Sequence, residues 1–160
     1  CAMRAKPTRP SPSTTARPLV QVAVAVIERD GRYLLSRRHR SSAPLGGCWE
    51  FTGGKRHPGE SWQACLRREL AEELGVRARI GRRLITLWFS YSDRRVCLEV
   101  FRCRISGTPK PLASQAIRWV DLTQLKRLRL PPADRPLIAL LAMESWRLPA
   151  SRPRAILGTK

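Results

Sequence analysis

Apolar positions follow different rhythms in different parts of the chain. Leu19 to Ile27 (LVQVAVAVI) is a nearly continuous β-prone run, long enough for a central strand. Asp30-Gly31 is a turn signal, and it predicts a second strand over Arg32 to Arg38. Residues 39–48 hold Ser41, Ser42, Pro44, Gly46 and Gly47 and read as a loop. Trp49 to Thr52 reads as a short strand before a glycine turn at Gly53-Gly54. Further strands are expected at 76–80, 83–91, 96–104 and 117–120, with Ser92 to Arg95 as a hairpin turn and 107–116 as a loop.

The rhythm changes to helical twice. Over 61–74, Trp62, Leu66, Leu70 and Leu74 form one stripe at about 100° per residue. Ser61 is placed as N-cap and Gly75 as C-terminal stop. A last helix is predicted over 134–146, after Pro131-Pro132, with Leu137, Leu140, Leu141 and Trp146 on its apolar face. Mixed strands with one helix mid-chain and one at the end predict an α/β sandwich, a mixed sheet between helices.

The first helix carries an anomaly. Beside its apolar stripe lie Glu69, Glu72 and Glu73 on an arc roughly 100° wide. Like charges at i,i+3 and i,i+4 destabilise a helix. The formal net charge of the chain is +19, and it has only twelve acidic residues. A hard divalent cation reverses the sign of that cost, because Mg²⁺ takes oxygen ligands and keeps waters that a phosphate can displace. Arg68, at the edge of the arc, can hold one carboxylate by a forked hydrogen bond.

The flanks argue against an ordinary solvated acidic face. Residues 54–76 read GKRHPGESWQACLRRELAEELGV, a complete G-x5-E-x7-R-E-L-x-E-E-x-G-V. At about 7% per fixed position, its seven non-aliphatic matches arise by chance on the order of 10⁻⁸ per register.

This segment resembles the signature of the Nudix hydrolases, without a gap. Its approach, Trp49-Glu50-Phe51-Thr52-Gly53-Gly54-Lys55, resembles the MutT-like branch. The resemblance runs from about Val20 to about Ala142. It implies a Nudix-fold α/β/α sandwich and a Mg²⁺-dependent (or Mn²⁺-dependent) attack of water on a pyrophosphate link. A nucleoside triphosphate would give a monophosphate and pyrophosphate, with 8-oxo-dGTP and nucleotide-pool sanitation as the MutT-like case. Another nucleoside diphosphate-linked substrate or a capped RNA 5′ end is the alternative. So is a basic nucleic-acid-binding module on the same fold with little catalysis, although intact carboxylates would bring such a binder nothing.

By resemblance, Glu69 and Glu73 are metal ligands, and Glu72 is a third ligand or the base. The Gly53 carbonyl is a further ligand. Arg68 belongs to the catalytic group, and Glu60 supports the helix. Arg38, Glu50, Phe51, Thr52, Lys55, Arg94 and Asp134 are placed at the substrate, with Lys55 on phosphate and Asp134 at the base edge. Core packing competes for Phe51, and a solvated basic cluster competes for Arg38. The chain departs from the MutT pattern in three places. Thr52 replaces a proline and is expected to loosen the turn. Asp134 replaces an asparagine. Leu112-Ala113-Ser114 stands in a loop where relatives often supply a glutamate, leaving Glu72 as base candidate.

Composition adds bounds. At 160 residues and 42% hydrophobic content, one globular domain is expected. No apolar run approaches the roughly 20 residues of a membrane helix. Five cysteines, odd in number and without C-x-x-C, read as reduced thiols in a cytoplasmic protein. With only His39 and His57 available, zinc is not expected.

All twelve acids lie between Glu28 and Glu144, and the acid-free ends hold eight basic residues. Setting these aside from +19 leaves +11 for the middle. Such a field attracts nucleotides and, nonspecifically, nucleic acid through surface and tails; an arginine-rich proteome with a high-GC codon bias is the competing account. Residues 1–18 are expected to be a disordered basic leader, 19–146 the domain, and 147–160 a flexible basic tail. A monomer or weak dimer is expected, with no membrane partner.

Overall fold

The computed structural model describes residues 17–42, 45–114 and 116–147, and backbone alone for the last two of these. The expectations for leader, tail and Trp146 side chain fall almost wholly outside them. Strands β1 (Leu19–Arg29), β2 (Arg32–Arg37), β3 (Trp49–Glu50) and β4 (Gly53–Lys55) precede helix α1 (Trp62–Leu74). Strands β5 (Arg77–Ser90), β6 (Arg95–Ser106) and β7 (Ala116–Val120) follow. Helix α2 (Leu122–Arg127), a 3-10 turn (Pro132–Asp134) and helix α3 (Arg135–Arg147) close the described chain.

The strands form one mixed seven-stranded sheet, ordered β3-β2-β1-β6-β5, with β4 beside β1 and β7 beside β2. β1 runs parallel to β6 and antiparallel to β4. Its alternation explains the unbroken apolar run. Ala23, Ala25 and Ile27 meet Leu66, Leu70 and Leu74 of α1 in one core cluster. Val24 and Val26 meet Leu125 of α2 and Leu137 and Leu141 of α3 in the other. A helix layer on each face of the sheet is the expected α/β/α sandwich.

Several boundaries differ from those read from sequence. The strands expected at 76–80 and 83–91 are one strand, β5, whose register shifts between Ile80 and Ile85. Gly81 marks a bulge inside a strand there, and not its end. The stretch read as a strand over Trp49 to Thr52 stops at Glu50, and the expected glycine turn is itself strand β4, paired with Val22 to Val24. α2 was not anticipated. It is only six residues long, too short for a helical period, but Asp121 and Gln124 form a capping box at its start. Contacts with the sheet begin before residue 19: the Pro18 carbonyl accepts from the Arg95 amide.

Candidate active site

The site is built where α1 crosses β4. Ser61 caps α1 by accepting from the Ala64 amide, and Gly75 ends it at φ 67°. Burial of Leu66, Leu70 and Leu74 fixes the helix rotation, so Glu69 and Glu73 are turned to the strand side while Glu72 stays exposed. Gly53 is required by close approach of backbone, while Gly54 leaves room for the end of the Glu69 side chain. A Cβ on Gly53 would run into the Ala23 carbonyl, and one on Gly54 would overlap the Glu69 carboxyl group. The Cys65 thiol reaches toward the Gly54 carbonyl, Sγ to O 3.7 Å. Burial and nearby Glu60 push that thiol up to about 11.

Arg68 ties these parts together. Its Nε and Nη2 meet the two Glu60 oxygens at 2.9 and 3.0 Å. Nη1 donates to Glu69 at 2.6 Å and, more weakly, to Glu72 at 3.4 Å. Nη2 also donates to the Lys55 carbonyl at 3.1 Å. The fork expected of Arg68 therefore lands chiefly on Glu60, whose other partner is the His57 amide at 3.0 Å. Hydrogen bonds from Arg68 and His57 hold the Glu60 carboxyl at about 2. Glu60 thus joins the segment before α1 to Arg68 on the helix.

Glu73 has the opposite environment. Burial, then Glu69, Glu50 and Glu72, push its pKa up to about 7, with Arg38 opposing. A partly buried carboxylate among three others is poorly placed as an anion unless a cation joins it. Among the described residues, no three acidic, His or Cys side chains converge closely enough to hold an ion. The all-oxygen donor set of the α1 glutamates fits a hard divalent cation.

Next to Glu73 lies a second group. Arg38 Nη1 pairs with Glu50 at 3.0 Å. Glu50 in turn raises both Glu73 and Asp134, so its charge is felt by the helix carboxylates and by the 3-10 turn. Asp134 is 9% exposed. Burial and then Glu50 push it up to about 7. Its Oδ2 and the Arg38 Nε are buried without a hydrogen-bond partner. Orphaned polar atoms of this kind call for a ligand or water.

The remaining expected residues divide. Lys55 is exposed on β4, directly after the glycines. Phe51 is buried in the α2/α3 core cluster, so core packing is what the structure gives it. Thr52 is buried, and its hydroxyl shares a 2.7 Å hydrogen bond with Ser36. That bond ties the turn to β2 where loosening was expected. Ser36 was missed, although strand alternation places it inward with Leu34. Arg94 lies on the β5–β6 hairpin, paired with Asp93 at 2.6 Å and stacked 5.2 Å from the Tyr91 ring centre. No contact among the described residues joins it to the carboxylates. The loop without a glutamate caps α1 instead: Lys110 and Leu112 amides donate to the Leu74 and Glu73 carbonyls, each at 3.0 Å.

Residues 17–141 match the family model of the NUDIX domain. The chain belongs to the Nudix family. It is a MutT-like Nudix hydrolase, an enzyme class acting on pyrophosphate bonds of nucleotides. The chain is 37% identical over 131 residues to the CTP pyrophosphohydrolase of Escherichia coli K12, spanning 81% of this chain and 96% of that protein. It is 30% identical over 123 residues to the 8-oxo-dGTP diphosphatase of the same organism, spanning 76% and 95%. The solution structure of the E. coli ORF135 protein superposes with a TM-score of 0.75 at 34% identity, covering 84% of this chain and 96% of that one. Within this Nudix domain, α1 lies against the Gly53-Gly54 strand, and Arg38 pairs with Glu50 beside them.

Proposed function

We propose that this Nudix hydrolase is a Mg²⁺-dependent nucleoside triphosphate pyrophosphohydrolase, acting in the cytoplasm and releasing a nucleoside monophosphate and pyrophosphate. The observation that carries the reading is the set of α1 carboxylates packed against the Gly53-Gly54 strand, with Glu73 near Glu69, Glu72 and Glu50 and with Arg38 paired to Glu50. Carboxylates that suit a metal cation thus lie next to a guanidinium that suits phosphates. Glu69 and Glu73, with the Gly53 carbonyl, would hold Mg²⁺, and Mn²⁺ is a fitting substitute. When bound, the ion supplies charge neutralisation and a more acidic water. Glu72, exposed and only weakly held by Arg68, is the residue free to take a proton from attacking water. Arg68 positions Glu69, while Arg38 and Lys55 bind phosphate oxygens.

Base choice falls to Asp134. Its unpartnered Oδ2 is an acceptor aimed at a donor, and the exocyclic amino group of cytosine or guanine supplies one. Similarity to a CTP pyrophosphohydrolase supports cytosine. The second reading, an oxidised guanine nucleotide, draws on the MutT-like relative and on a protonated Asp134 that acts as asparagine does. Burial makes that form accessible near neutral pH. A panel of nucleotides with Mg²⁺, assayed for pyrophosphate against orthophosphate, tests the reaction. Pyrophosphate with highest kcat/KM on CTP or dCTP is expected. Orthophosphate release would overturn the reading.

A further inference from the structure

We propose that the face of β5 and β6 turned away from α1, centred on Arg79 and Arg104, binds the phosphodiester backbone of a nucleic-acid strand. Ala78, Ile80, Cys103 and Ile105 pack toward α1. Strand alternation therefore sends Arg77, Arg79, Arg102 and Arg104 to the opposite face. Arg79 and Arg104 are direct cross-strand partners. Like charges in that relation are destabilising.

The counter-charge on this face is spent elsewhere. Glu28 and Glu144 both engage Arg102, the latter at 2.6 Å, and Glu144 also engages Arg82. Asp30 lies at the Arg104 end, lining a small cavity with Glu28 and Arg102. Arg77, Arg79 and Arg104 are exposed, and none forms an ion pair among the described residues. All twelve acidic side chains of the chain fall within those residues, and the one unpaired carboxylate that shares a cavity with Arg104, Asp30, forms no ion pair with it.

Protection of a sheet edge accounts for charges on β5, the outermost strand. It does not account for Arg104 on β6, where an acid opposite Arg79 would protect equally and stabilise the pair. The bulge at Gly81 opens a cavity of about 430 Å³ lined by Arg79, Gly81, Arg82, Arg102 and Arg104. A second, of about 310 Å³, continues past Arg77, Arg79 and Arg104. Arginines two apart on a strand are separated by about 6.6 Å, a spacing close to that of successive phosphates in an extended strand. Guanidinium forks match phosphate oxygens. A two-strand-wide strip of them fits one backbone and reads no sequence.

The strip is separate from the nucleotide site. Ala23 pairs with both Gly54 and Glu99, and Arg104 lies five residues beyond Glu99. That is about 16 Å along the strand.

The test is fluorescence anisotropy of a labelled oligouridylate RNA against a salt series, in EDTA so that no turnover occurs. Arg79→Gln with Arg104→Gln is compared with Lys126→Gln and Arg127→Gln, an exposed pair on α2. The strip variant is expected to bind at least tenfold more weakly at low salt. Its log–log salt slope should fall by about 1.4, the release expected for two lost contacts to a single strand. The α2 variant should keep the parental slope, both should keep parental hydrolysis of free nucleotide, and the strip variant should melt no lower than the parent, because it loses a like-charge cross-strand pair. Equal losses in the two variants would overturn the assignment to this face. Parental binding to phosphatidylserine vesicles but not to RNA would overturn the choice of partner. Binding is read without metal, so it stands independently of which nucleotide is hydrolysed.

Discussion

Gly54 and Glu69 compete for the same volume: a Cβ on the glycine would overlap the carboxyl group of the glutamate. The strand can therefore carry only glycine there if the helix is to present that carboxylate against it. Gly54→Ala is expected to leave the fold intact by circular dichroism and to lower kcat about 10²-fold or more, as displaced electrostatic groups do. Near-parental kcat in a folded variant would show that Glu69 does not act from this position.

Arg68 joins Glu60, Glu69 and the Lys55 carbonyl through one guanidinium. A lysine ammonium lacks the planar fork. Arg68→Lys should raise the Mg²⁺ concentration needed for half-maximal rate by about 10-fold or more, the usual effect of losing a residue that orients ligands. Glu60→Gln should shift it less, because Arg68 keeps Glu69. A metal titration at saturating nucleotide reads both.

Glu73 gives a pH signature in metal-free protein. Its folded pKa is raised to about 7 by burial and by Glu69, Glu50 and Glu72. Between the unfolded value near 4.5 and about 7, the folded state binds more proton than the unfolded state. Stability from this group is therefore lost as pH rises through that window. Melting temperatures in EDTA should fall across it, and Glu73→Gln should flatten the fall. Added Mg²⁺ should raise the melting temperature more at pH 8 than at pH 5. A Mg²⁺ increment that is larger at low pH would contradict the placement of the charge.

Asp134 gives a second pH signature, in specificity. With a folded pKa near 7 from burial and Glu50, it changes from donor-capable to acceptor-only across neutral pH. Preference for CTP over 8-oxo-dGTP, as a ratio of kcat/KM, should rise with pH through that range. Asp134→Asn should remove the pH dependence, lower the ratio about tenfold, and sharpen discrimination of 8-oxo-dGTP from dGTP. A parent with strong, pH-independent preference for the oxidised nucleotide, unchanged in Asp134→Asn, would rule out a base-edge role.

The acidic helix was legible because its signals are local. Ser61, the Leu66-Leu70-Leu74 stripe and Gly75 are read within one element, and the structure keeps all of them. The fold class followed from strand and helix periods in the same way. What was not legible depends on partners far along the chain. Arg38 meets Glu50 only because β2 pairs with β3, and the burial of Asp134 depends on how the 3-10 turn and α3 pack on the sheet. The ranges 76–80 and 83–91 read as two strands because a glycine between strand-like runs, here Gly81, signals a turn and a bulge equally well. Thr52 was read against proline, and its hydrogen bond to Ser36 could not be seen without the β2 register.

The most direct test is metal-dependent turnover of Glu72→Gln and Glu73→Gln beside the parent, with pyrophosphate as the measured product. The glutamates of α1 are assigned one task, holding a divalent cation and its attacking water against a phosphoanhydride. The parent should release pyrophosphate with Mg²⁺ and none in EDTA. Each variant should lose at least about 10²-fold in kcat with an unchanged fold. Near-parental turnover by both variants in Mg²⁺, or parental turnover in EDTA, would contradict that assignment.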